Sequence, residues 1–488
     1  MGRSDARAPR LWAKAAWAAG LTLAADQLFY GHPGGSVAAG FTLALAVALL
    51  STHPEIGRDR RAKAAFVVAI LAALSLADRP TFVAEAFLAA GLSVAVLAGR
   101  SAPEAGLGRW AARMAFQGVA ALAGPALDLA GLRRILRKRP LLRPPLLPIL
   151  ALPVTGAAVF LTLFAVANPV IGQVLTEIAP PEPDIWRIGY ALMVLTGVWA
   201  LLRPRLLPPA KGVRTAPIRP SAGVAPASIA LSLGLFNALF AIENGLDIAF
   251  LWSGAPLPHG VTLAGYAHRG AYTLIATALL AGLFVLVFLR PGSDSSRRPW
   301  IRRLVVLWVA QNLVLVASSA LRTADYIETY SLTRLRIAAL VWMVLVALGL
   351  VLICWRLLRT KSAGWLIGVN ATAAALALAG CAAVDLGAVA ASWNVTHARE
   401  FGGTGAALDV CYLAQLGDSA LVPLSALAAS RLPPDLQGRV ATVRANILDD
   451  LAARQGEWRS WTWRGQVRLD RALALAPASH PPIKACDS

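Results

Sequence analysis

Lysine and arginine are sorted along this chain, and the sorting predicts how the chain crosses a membrane. Long apolar stretches are joined by connecting segments that alternate between strongly basic and almost free of basic residues. Of the 46 lysines and arginines, 30 fall in one alternating set of connections, 6 in the other set and 10 in the C-terminal tail. Because cytoplasmic loops of membrane proteins carry an excess of basic residues, the pattern predicts a multi-pass protein with its N-terminus inside.

The composition favours a lipid bilayer as the solvent of this chain. Only 15% of the 488 residues are charged and 57% are hydrophobic, whereas soluble domains carry about 25% charged residues. A net charge of +20 would suggest nucleic acid as a partner of a soluble protein, but here the excess lies in short loops beside apolar stretches. We therefore expect no nucleic-acid binding, and we expect the basic cytoplasmic loops to contact anionic lipid headgroups. Whether the chain has a protein partner cannot be read from the sequence.

The apolar stretches predict an all-α fold of about eleven transmembrane helices. A bilayer core requires about 20 apolar residues per helix, and eleven stretches approach this length. They lie at residues 11–29, 35–51, 62–77, 82–98, 146–168, 185–202, 227–252, 270–289, 304–320, 337–355 and 364–391. With an odd number of spans and the N-terminus inside, the C-terminal tail is expected outside.

One further apolar segment, residues 110–132, is harder to assign. It contains Gly124-Pro125 and Asp128, and six basic residues follow it between positions 133 and 143. A crossing would carry that basic cluster to the outside. We therefore expect an interfacial or re-entrant helix on the cytoplasmic face.

These assignments divide the chain into four regions and give the last one a helical character. The regions are an N-terminal four-helix membrane region (1–98), a cytoplasmic basic segment (99–145), a main membrane domain (146–391) and an extracytoplasmic helical tail (392–488). The tail has helical periodicity over 406–430 and from 433 to about 455. Three tryptophans and three arginines then cluster, at Trp458, Trp461, Trp463, Arg459, Arg464 and Arg468. This cluster favours an interfacial anchor over a binding cage. Cys411 and Cys486 could form a disulfide if the tail faces an oxidising compartment.

Polar and ionisable residues concentrate at the outer ends of four neighbouring predicted helices. Such residues are costly inside a membrane and are therefore candidates for a functional site. The candidate polar site comprises Glu243, Asn244, Asp247, His268, Arg269, Arg322, Asp325, Arg334 and Arg336. Glu243 and Asp247 lie four residues apart and share a helix face, so we expect at least one of them to pair with one of these arginines. The site is either a salt-bridge lattice that clamps the helix ends or a cavity where surplus arginine binds an anionic ligand, such as a lipid phosphate or a carboxylate.

No sequence motif indicates a particular chemical reaction. The chain contains no G-x-S-x-G, H-E-x-x-H, Walker A or dinucleotide-binding pattern. His259 and His268 share a predicted outer loop but lack a third ligand, so we predict no metal site, and nothing indicates a cofactor. Asp26, Glu85 and Asp385 could serve a coupled transporter, but the chain shows no internal repeat of the kind that such transporters use.

Three stretches carry a resemblance to a known family. They are GVTLAGYAHRGAYTL at residues 260–274, YSLTRLRIAALVWM at residues 330–343 and Asn168-Pro169-Val170. In these residues the chain resembles a family of bacterial multi-pass membrane proteins catalogued as domain of unknown function forty-one seventy-three, over roughly residues 146–391. The resemblance implies a protein of the bacterial cytoplasmic membrane and brings no established activity, substrate or catalytic residue.

Three classes of function stay open, and they include both enzymes and proteins without catalytic activity. The absence of catalytic and repeat signals favours a structural, assembly or envelope-sensing membrane protein. A transporter or lipid-handling protein with an outer-face polar site would use Glu243, Asp247 and Asp385. A membrane enzyme acting on a lipid-linked anionic substrate would use Asp26 and the arginine cluster. An enclosed cavity reaching the membrane midplane would indicate transport, an outward groove at headgroup level the enzyme, and a filled polar lattice the structural class.

Overall fold

The computed structural model describes residues 8–99, 107–137, 184–205, 226–252 and 298–476, with isolated positions at 153, 157, 277, 280 and 284. Every regular element within these ranges is a helix, which confirms the predicted all-α fold for the described residues. Six helical segments there are long and apolar enough to cross a membrane: Ile185–Leu202, Pro226–Asp247, Pro299–Tyr330, Arg334–Leu358, Ala363–Ala383 and Val410–Ala428. Two of the predicted spans, 146–168 and 270–289, lie outside the described residues apart from isolated positions.

The first bundle packs five helices around a common apolar core. They are α1 (Ala8–Phe29), α2 (Val37–Thr52), α3 (Arg60–Asp78), α4 (Phe82–Ala98) and α6 (Ile185–Leu202). Small residues allow α3 and α4 to approach closely, since a Cβ atom on Gly91 would lie only 2.9 Å from the carbonyl oxygen of Ala65. Such close contacts between small residues are typical of helices that associate within lipid.

Helix α5 (Leu107–Arg137) contains the segment predicted to be interfacial, and it contacts one end of α6. Gln117 donates to the carbonyl of Ala200 over 2.6 Å. Asp128 accepts from the indole of Trp199 at 2.9 Å and pairs with Arg203 at 3.2 Å. Over about 16 Å of α5, these polar contacts all reach the last turn of α6 or the residue directly after it. This is the contact expected of a helix that runs across the end of α6 rather than alongside it.

The second bundle contains α7 (Pro226–Asp247), α8 (Pro299–Tyr330), α9 (Arg334–Leu358) and α10 (Ala363–Ala383), and a short π-helical turn, Ile248–Trp252, extends α7. Asn237 donates to the carbonyl of Leu304, and Asn244 donates to that of Gln311, both over 3.1 Å. Both steps along the two helices are seven residues long, so α7 and α8 run parallel. The predicted topology requires this direction, because it carries both helices from the inner to the outer face.

The C-terminal region folds into a separate helical unit, called the C-terminal cap here. Its helices are α11 (Leu386–His397), α12 (Val410–Leu416), α13 (Leu421–Ala428), α14 (Pro434–Gly456) and α15 (Trp463–Leu475). Leu413, Leu421, Leu424 and Leu451 are fully buried in its core. The apolar stretch Val410–Ala428 is long enough to cross a membrane, but a 3₁₀ turn separates α12 from α13, and half of the stretch is buried inside the protein.

One predicted span differs from the structure in a way that matters for the cap. The sequence predicts a single helix over 364–391, whereas α10 ends at Ala383 and α11 begins at Leu386. Asp385 ends the run because its carboxylate accepts from the backbone N–H groups of Gly387 and Ala388, at 3.0 and 3.2 Å. An aspartate in this position favours a new helix N-terminus over continuation of the previous helix. The predicted boundary between membrane domain and tail, at 391/392, consequently falls inside α11.

The cap contacts the first bundle through the polypeptide backbone. The N–H of Ser36, at the start of α2, donates to the carbonyl of Trp461 over 2.7 Å. A Cβ atom on Gly35 would lie 2.5 Å from the carbonyl oxygen of Arg459, so only glycine allows this approach. The loop before α2 and the loop before α15 are therefore in direct contact.

Candidate functional site

The nine residues of the predicted polar site separate into several places. Asn244, Asp247 and Arg322 come together between α7 and α8, Arg334 joins a different cluster, and Arg336 closes the turn between α8 and α9. His268 and Arg269 lie outside the described residues. Glu243 and Asp325 are both exposed, on α7 and near the end of α8. The residues therefore do not form one site within the described part of the chain.

The predicted pairing of an α7 acid with an outer arginine is confirmed. Asp247 and Arg322 form an ion pair in which the two side chains are only 1% and 7% exposed. One helical turn before Asp247, the amide of Asn244 links α7 to the backbone of α8. The partner of Arg322 is Asp247 rather than Glu243, because Asp247 is on the buried face of α7 that contacts α8.

Arg336 has a local role. Its guanidinium donates to the carbonyl oxygens of Tyr330 and Ser331, which end the preceding helix. It also stacks over the ring of Tyr326, with its central carbon 4.3 Å from the ring centroid. Arg336 thus caps the C-terminal carbonyls of α8, a favourable position for a cation.

A larger polar site, called the arginine cavity here, lies where the C-terminal cap meets both bundles. Its volume is about 390 Å³. Its walls come from the α1–α2 loop, the α3–α4 loop, the start of α9 and several parts of the cap. The lining residues are Pro33, Gly34, Asp78, Arg79, Pro80, Arg334, Leu416, Asp418, Ser419, Arg454, Ser460, Thr462, Arg464, Gly465 and Arg468. Every one of these segments was predicted on the outer side of the membrane.

Asp385 connects the three parts of the protein that meet at this cavity. It is 7% exposed, and it pairs with Arg79 of the first bundle at 2.9 Å and with Arg468 of α15. The hydroxyl of Ser419 donates to it over 3.0 Å. Together with the N-terminus of α11, these donors satisfy both carboxylate oxygens, as a buried charge requires.

The other three arginines of the cavity each contact at least one protein acceptor. Arg464 pairs with Asp78 at the end of α3. Arg454 pairs with Asp418 at 2.6 Å and with Asp450 at 3.0 Å. Arg334 donates to the carbonyl of Leu416 over 3.2 Å and, more weakly, to Ser419 over 3.4 Å. The network therefore ties the first bundle, α9 and the cap together.

Positive charge exceeds negative charge around the cavity. Among the described residues, five arginines line it, against the lining acids Asp78 and Asp418 and the adjoining Asp385. Asp450 contacts Arg454 from outside the lining and is 69% exposed, so water screens much of its charge. The surplus is therefore close to two positive charges.

Two of the arginines, Arg468 and Arg79, have lowered pKa values because of their burial and of neighbouring positive charge. The pKa of Arg468 is lowered to about 10, mainly by burial and also by the charge of the neighbouring Arg79 guanidinium. Burial also lowers the pKa of Arg79, and the charges of Arg464 and Arg334 act in the same direction. Like charges disfavour one another's charged forms. An anion in the cavity would relieve this repulsion.

Sequence reasoning identified some of the residues at this cavity but not their association. It identified Asp385 as an acid near a span and Arg334 as a member of the candidate polar site. Arg464 and Arg468 were assigned to an interfacial anchor with the neighbouring tryptophans, whereas both line the cavity. Another acid considered for function, Asp26, instead pairs with Arg187 at 2.6 Å between α1 and α6.

Of the two cysteines in the predicted disulfide, Cys411 and Cys486, only Cys411 lies within the described residues. Cys411, at the start of α12, is disulfide-bonded. Cys486, its predicted partner, lies outside the described residues. Cys354 in α9 and Cys381 in α10 are free.

The apolar helices and the polar cavity at one end of them define a multi-pass helical membrane protein. The chain belongs to the family described as Domain of unknown function (DUF4153), which it matches over residues 62–427. This match covers well over half of the chain and extends beyond residues 146–391 in both directions. The resemblance noted in the sequence was to a domain of unknown function numbered 4173, whereas the family that the chain matches is numbered 4153. The expected membership of a family of unknown function is confirmed. No curated protein and no solved structure matches the chain.

Proposed function

We propose that the chain is a multi-pass protein of a bacterial cytoplasmic membrane that binds an anionic group in the arginine cavity on the outer face. Among the three classes of function, this is the lipid-handling one. It shares its binding step with an enzyme acting on a lipid-linked anion, for which an outward groove was the expected sign. The proposal goes no further than binding, because no residue of the cavity has an assigned catalytic role.

The observation that carries the proposal is the charge imbalance of the cavity. Five arginines and three acids surround about 390 Å³ of space, and nothing in the described part of the chain neutralises the remaining charge from within the cavity. A network built only to hold helices together would gain most from equal numbers of cations and anions. Guanidinium groups bind phosphate and carboxylate with well-oriented pairs of hydrogen bonds.

The contacts at opposite helix ends support the proposed grouping of helix ends, whereas the orientation with the N-terminus inside and the C-terminus outside is supported by the basic-residue pattern. At the proposed inner end, Lys14 and His53 both contact the carbonyl of Leu202, at 2.5 and 3.0 Å. At the proposed outer end, Arg187 pairs with Asp26 and Arg464 with Asp78. The basic-residue pattern assigns each of these two groups to one side, and the contacts within each group agree with that assignment.

The proposed topology has eleven spans, with α5 in the cytoplasmic interface and the basic inner loops against anionic lipid headgroups. The contacts of α5 with the end of α6 support this position, and so do Val119 and Leu122 on the exposed face of α5. A reporter that is active only outside the cytoplasm should be active when fused after Ser488. The same reporter fused after Arg139 should be inactive. Activity at Arg139 would mean that α5 spans the membrane.

The binding proposal is tested on the full chain, purified in detergent, by its thermal unfolding midpoint in different anions. Inorganic phosphate should raise the midpoint above that in chloride at equal ionic strength, because a ligand stabilises the state that binds it. Arg468→Gln should abolish the difference between phosphate and chloride. Arg471→Gln, on the exposed side of the same helix, should retain it. Equal midpoints in phosphate, acetate and chloride for the unaltered protein would refute the proposal.

A purely structural network is the second candidate, because each arginine of the cavity already has a protein acceptor. On this view the cavity clamps the cap onto the two bundles. Arg468→Gln would then lower the unfolding midpoint by the same amount in every anion. The difference between anions, rather than the absolute midpoint, separates the two functions.

A further inference from the structure

We propose that the ligand of the arginine cavity is a dianionic phosphate monoester rather than a phosphodiester or a carboxylate. This inference rests on the proposed binding function and specifies its ligand class. It follows from the amount of surplus charge, from the donors that remain and from the position of the cavity.

The surplus of positive charge in the cavity indicates how much negative charge the ligand carries. Five arginines against three acids leave about two positive charges. A monoanion, such as a carboxylate or a phosphodiester, neutralises one of them, whereas a phosphate monoester above its second pKa of about 6 neutralises both. At the distances within a cavity of about 390 Å³, each additional charge interacts favourably with several partly desolvated guanidinium groups.

The donor inventory fits a tetrahedral group with three free oxygens. A guanidinium carries five N–H donors, and the contacts of Arg79 and Arg468 with Asp385 each use a single nitrogen. Arg464 likewise uses one nitrogen for its contacts. Donors on three arginines from two distant parts of the chain are therefore left for a ligand. A phosphate monoester presents three strong acceptor oxygens, one more than a carboxylate.

The position of the cavity suits a ligand at the membrane surface. Asp78 and Arg79 follow the end of α3, and Arg334 begins α9. The cavity thus lies at the ends of apolar helices, where lipid headgroups meet water. The phosphate monoester could belong to a lipid or to a soluble molecule, and the experiment separates these sources.

Binding is measured for the full chain in detergent with small probes of known charge, by the dependence of the unfolding midpoint on probe concentration. Glycerol phosphate and sulfate should bind at least about tenfold more tightly than dimethyl phosphate and acetate at pH 7.5. Lowering the pH to 5 should weaken the binding of glycerol phosphate about tenfold and leave the binding of sulfate unchanged, since only glycerol phosphate loses a negative charge.

Two substitutions change the surplus in a predictable direction. Asp418→Asn adds one net positive charge to the lining and should tighten sulfate binding several-fold, even if it lowers the midpoint of the free protein. Asp470→Asn, on the exposed side of α15, changes the net charge equally and should have no such effect. A gain in a variant cannot be explained by loss of folding, so this pair keeps the inference testable if arginine variants are unstable.

Nanodiscs separate the two sources of the ligand. Stabilisation by phosphatidic acid, a monoester lipid, but not by phosphatidylglycerol, a diester lipid, would assign the lipid source. Stabilisation by glycerol phosphate with no lipid preference would assign a soluble one. Equal affinity for monoanions and dianions would overturn the inference while leaving anion binding intact. If no probe raised the unfolding midpoint above that in chloride, both the inference on the ligand class and the proposed anion binding would be overturned.

Discussion

The Asp247–Arg322 pair and the arginine cavity are both built from acids and arginines, but they differ in access and in the number of cations that they gather. The first contains the ion pair between Asp247 and Arg322, and both side chains are nearly inaccessible. The second gathers five arginines around fewer acids, and its ion-paired arginine side chains are 12–32% exposed. A closed, buried pair can hold two helices but leaves no space for a ligand. An open cluster with surplus positive charge has both space and charge for one.

The two sites also differ in the main energetic cost of placing ionisable groups in a membrane protein. Between α7 and α8 the main cost is desolvation, which the ion pair between Asp247 and Arg322 offsets. In the arginine cavity the main cost is repulsion between like charges, which only an additional anion offsets. The comparison therefore predicts that variants of the pair change stability alone, whereas variants of the cavity change stability and the response to anions.

The largest expected effect comes from breaking the buried pair. Arg322→Ala removes the arginine from a nearly inaccessible carboxylate, and we expect a loss of about 3–5 kcal/mol in the free energy of unfolding. The loss should appear in thermal unfolding in detergent and should be identical in phosphate and chloride. The double variant Asp247→Asn with Arg322→Met should recover at least half of it, because neither partner is then left charged. Glu243→Gln, on the exposed face of α7, should stay within about 0.5 kcal/mol of the unaltered protein. A loss in Arg322→Ala that depended on the anion would show that the buried pair, like the arginine cavity, responds to anions.

A smaller effect should follow from separating the cap from the first bundle. Gly35→Ala brings a methyl group within 2.5 Å of the carbonyl of Arg459 and 2.6 Å of that of Trp461. These are backbone atoms and cannot turn aside, so we expect a loss of about 1–3 kcal/mol and faster proteolysis of the cap. Gly40→Ala is the matched control, since a Cβ atom there has no neighbour within 4 Å. Unchanged protease resistance in Gly35→Ala would show that the cap does not depend on this contact.

The anion response itself is addressed by Gly387→Ala in α11. The added methyl group would lie 2.4 Å from Nη2 of Arg334 and 2.8 Å from Oγ of Ser419. Because the far end of an arginine can move, we expect a loss of only about 1 kcal/mol, together with a weaker stabilisation by phosphate. Gly438→Ala in α14 has open space around it and should leave the phosphate response unchanged. A full phosphate response in Gly387→Ala would show that the position of the Arg334 guanidinium does not influence anion binding.

The sequence predicted the buried pair better than the cavity for a physical reason. An acid and an arginine inside apolar helices must find partners close by, so Asp247 and Arg322 could be assigned from the cost of leaving either alone. The choice of Asp247 over Glu243 required the helix face that contacts α8, which periodicity in an all-apolar helix does not reveal. The all-α fold and the parallel direction of α7 and α8 followed from hydropathy and loop charge in the same way.

The cavity could not be predicted because its walls are distant in the sequence. Arg79 and Arg468 come within reach of one carboxylate only after the cap has folded onto the first bundle. Arg464 and Arg468 follow a run of tryptophans, and that local pattern favours a membrane anchor unless the loops opposite are known. One available signal was missed: Asp385 followed by an apolar run is also a helix N-cap pattern, and it marks the break between α10 and α11.

The smallest expected effect tests whether charge outside the cavity lining matters. Asp450 is 69% exposed and bonds Arg454 one helical turn along α14, while Asp418 holds the same arginine from the lining at 2.6 Å. Asp450→Asn should therefore lower the free energy of unfolding by only about 0.3–0.5 kcal/mol, the usual contribution of an exposed pair at this spacing. High salt should erase even this difference, because exposed charges are screened. Sulfate affinity should stay within about twofold, in contrast to the gain expected for Asp418→Asn. If Asp450→Asn strengthened sulfate binding as much as Asp418→Asn did, the surplus charge would be a property of the whole outer surface, and the distinction between cavity and surroundings would fail.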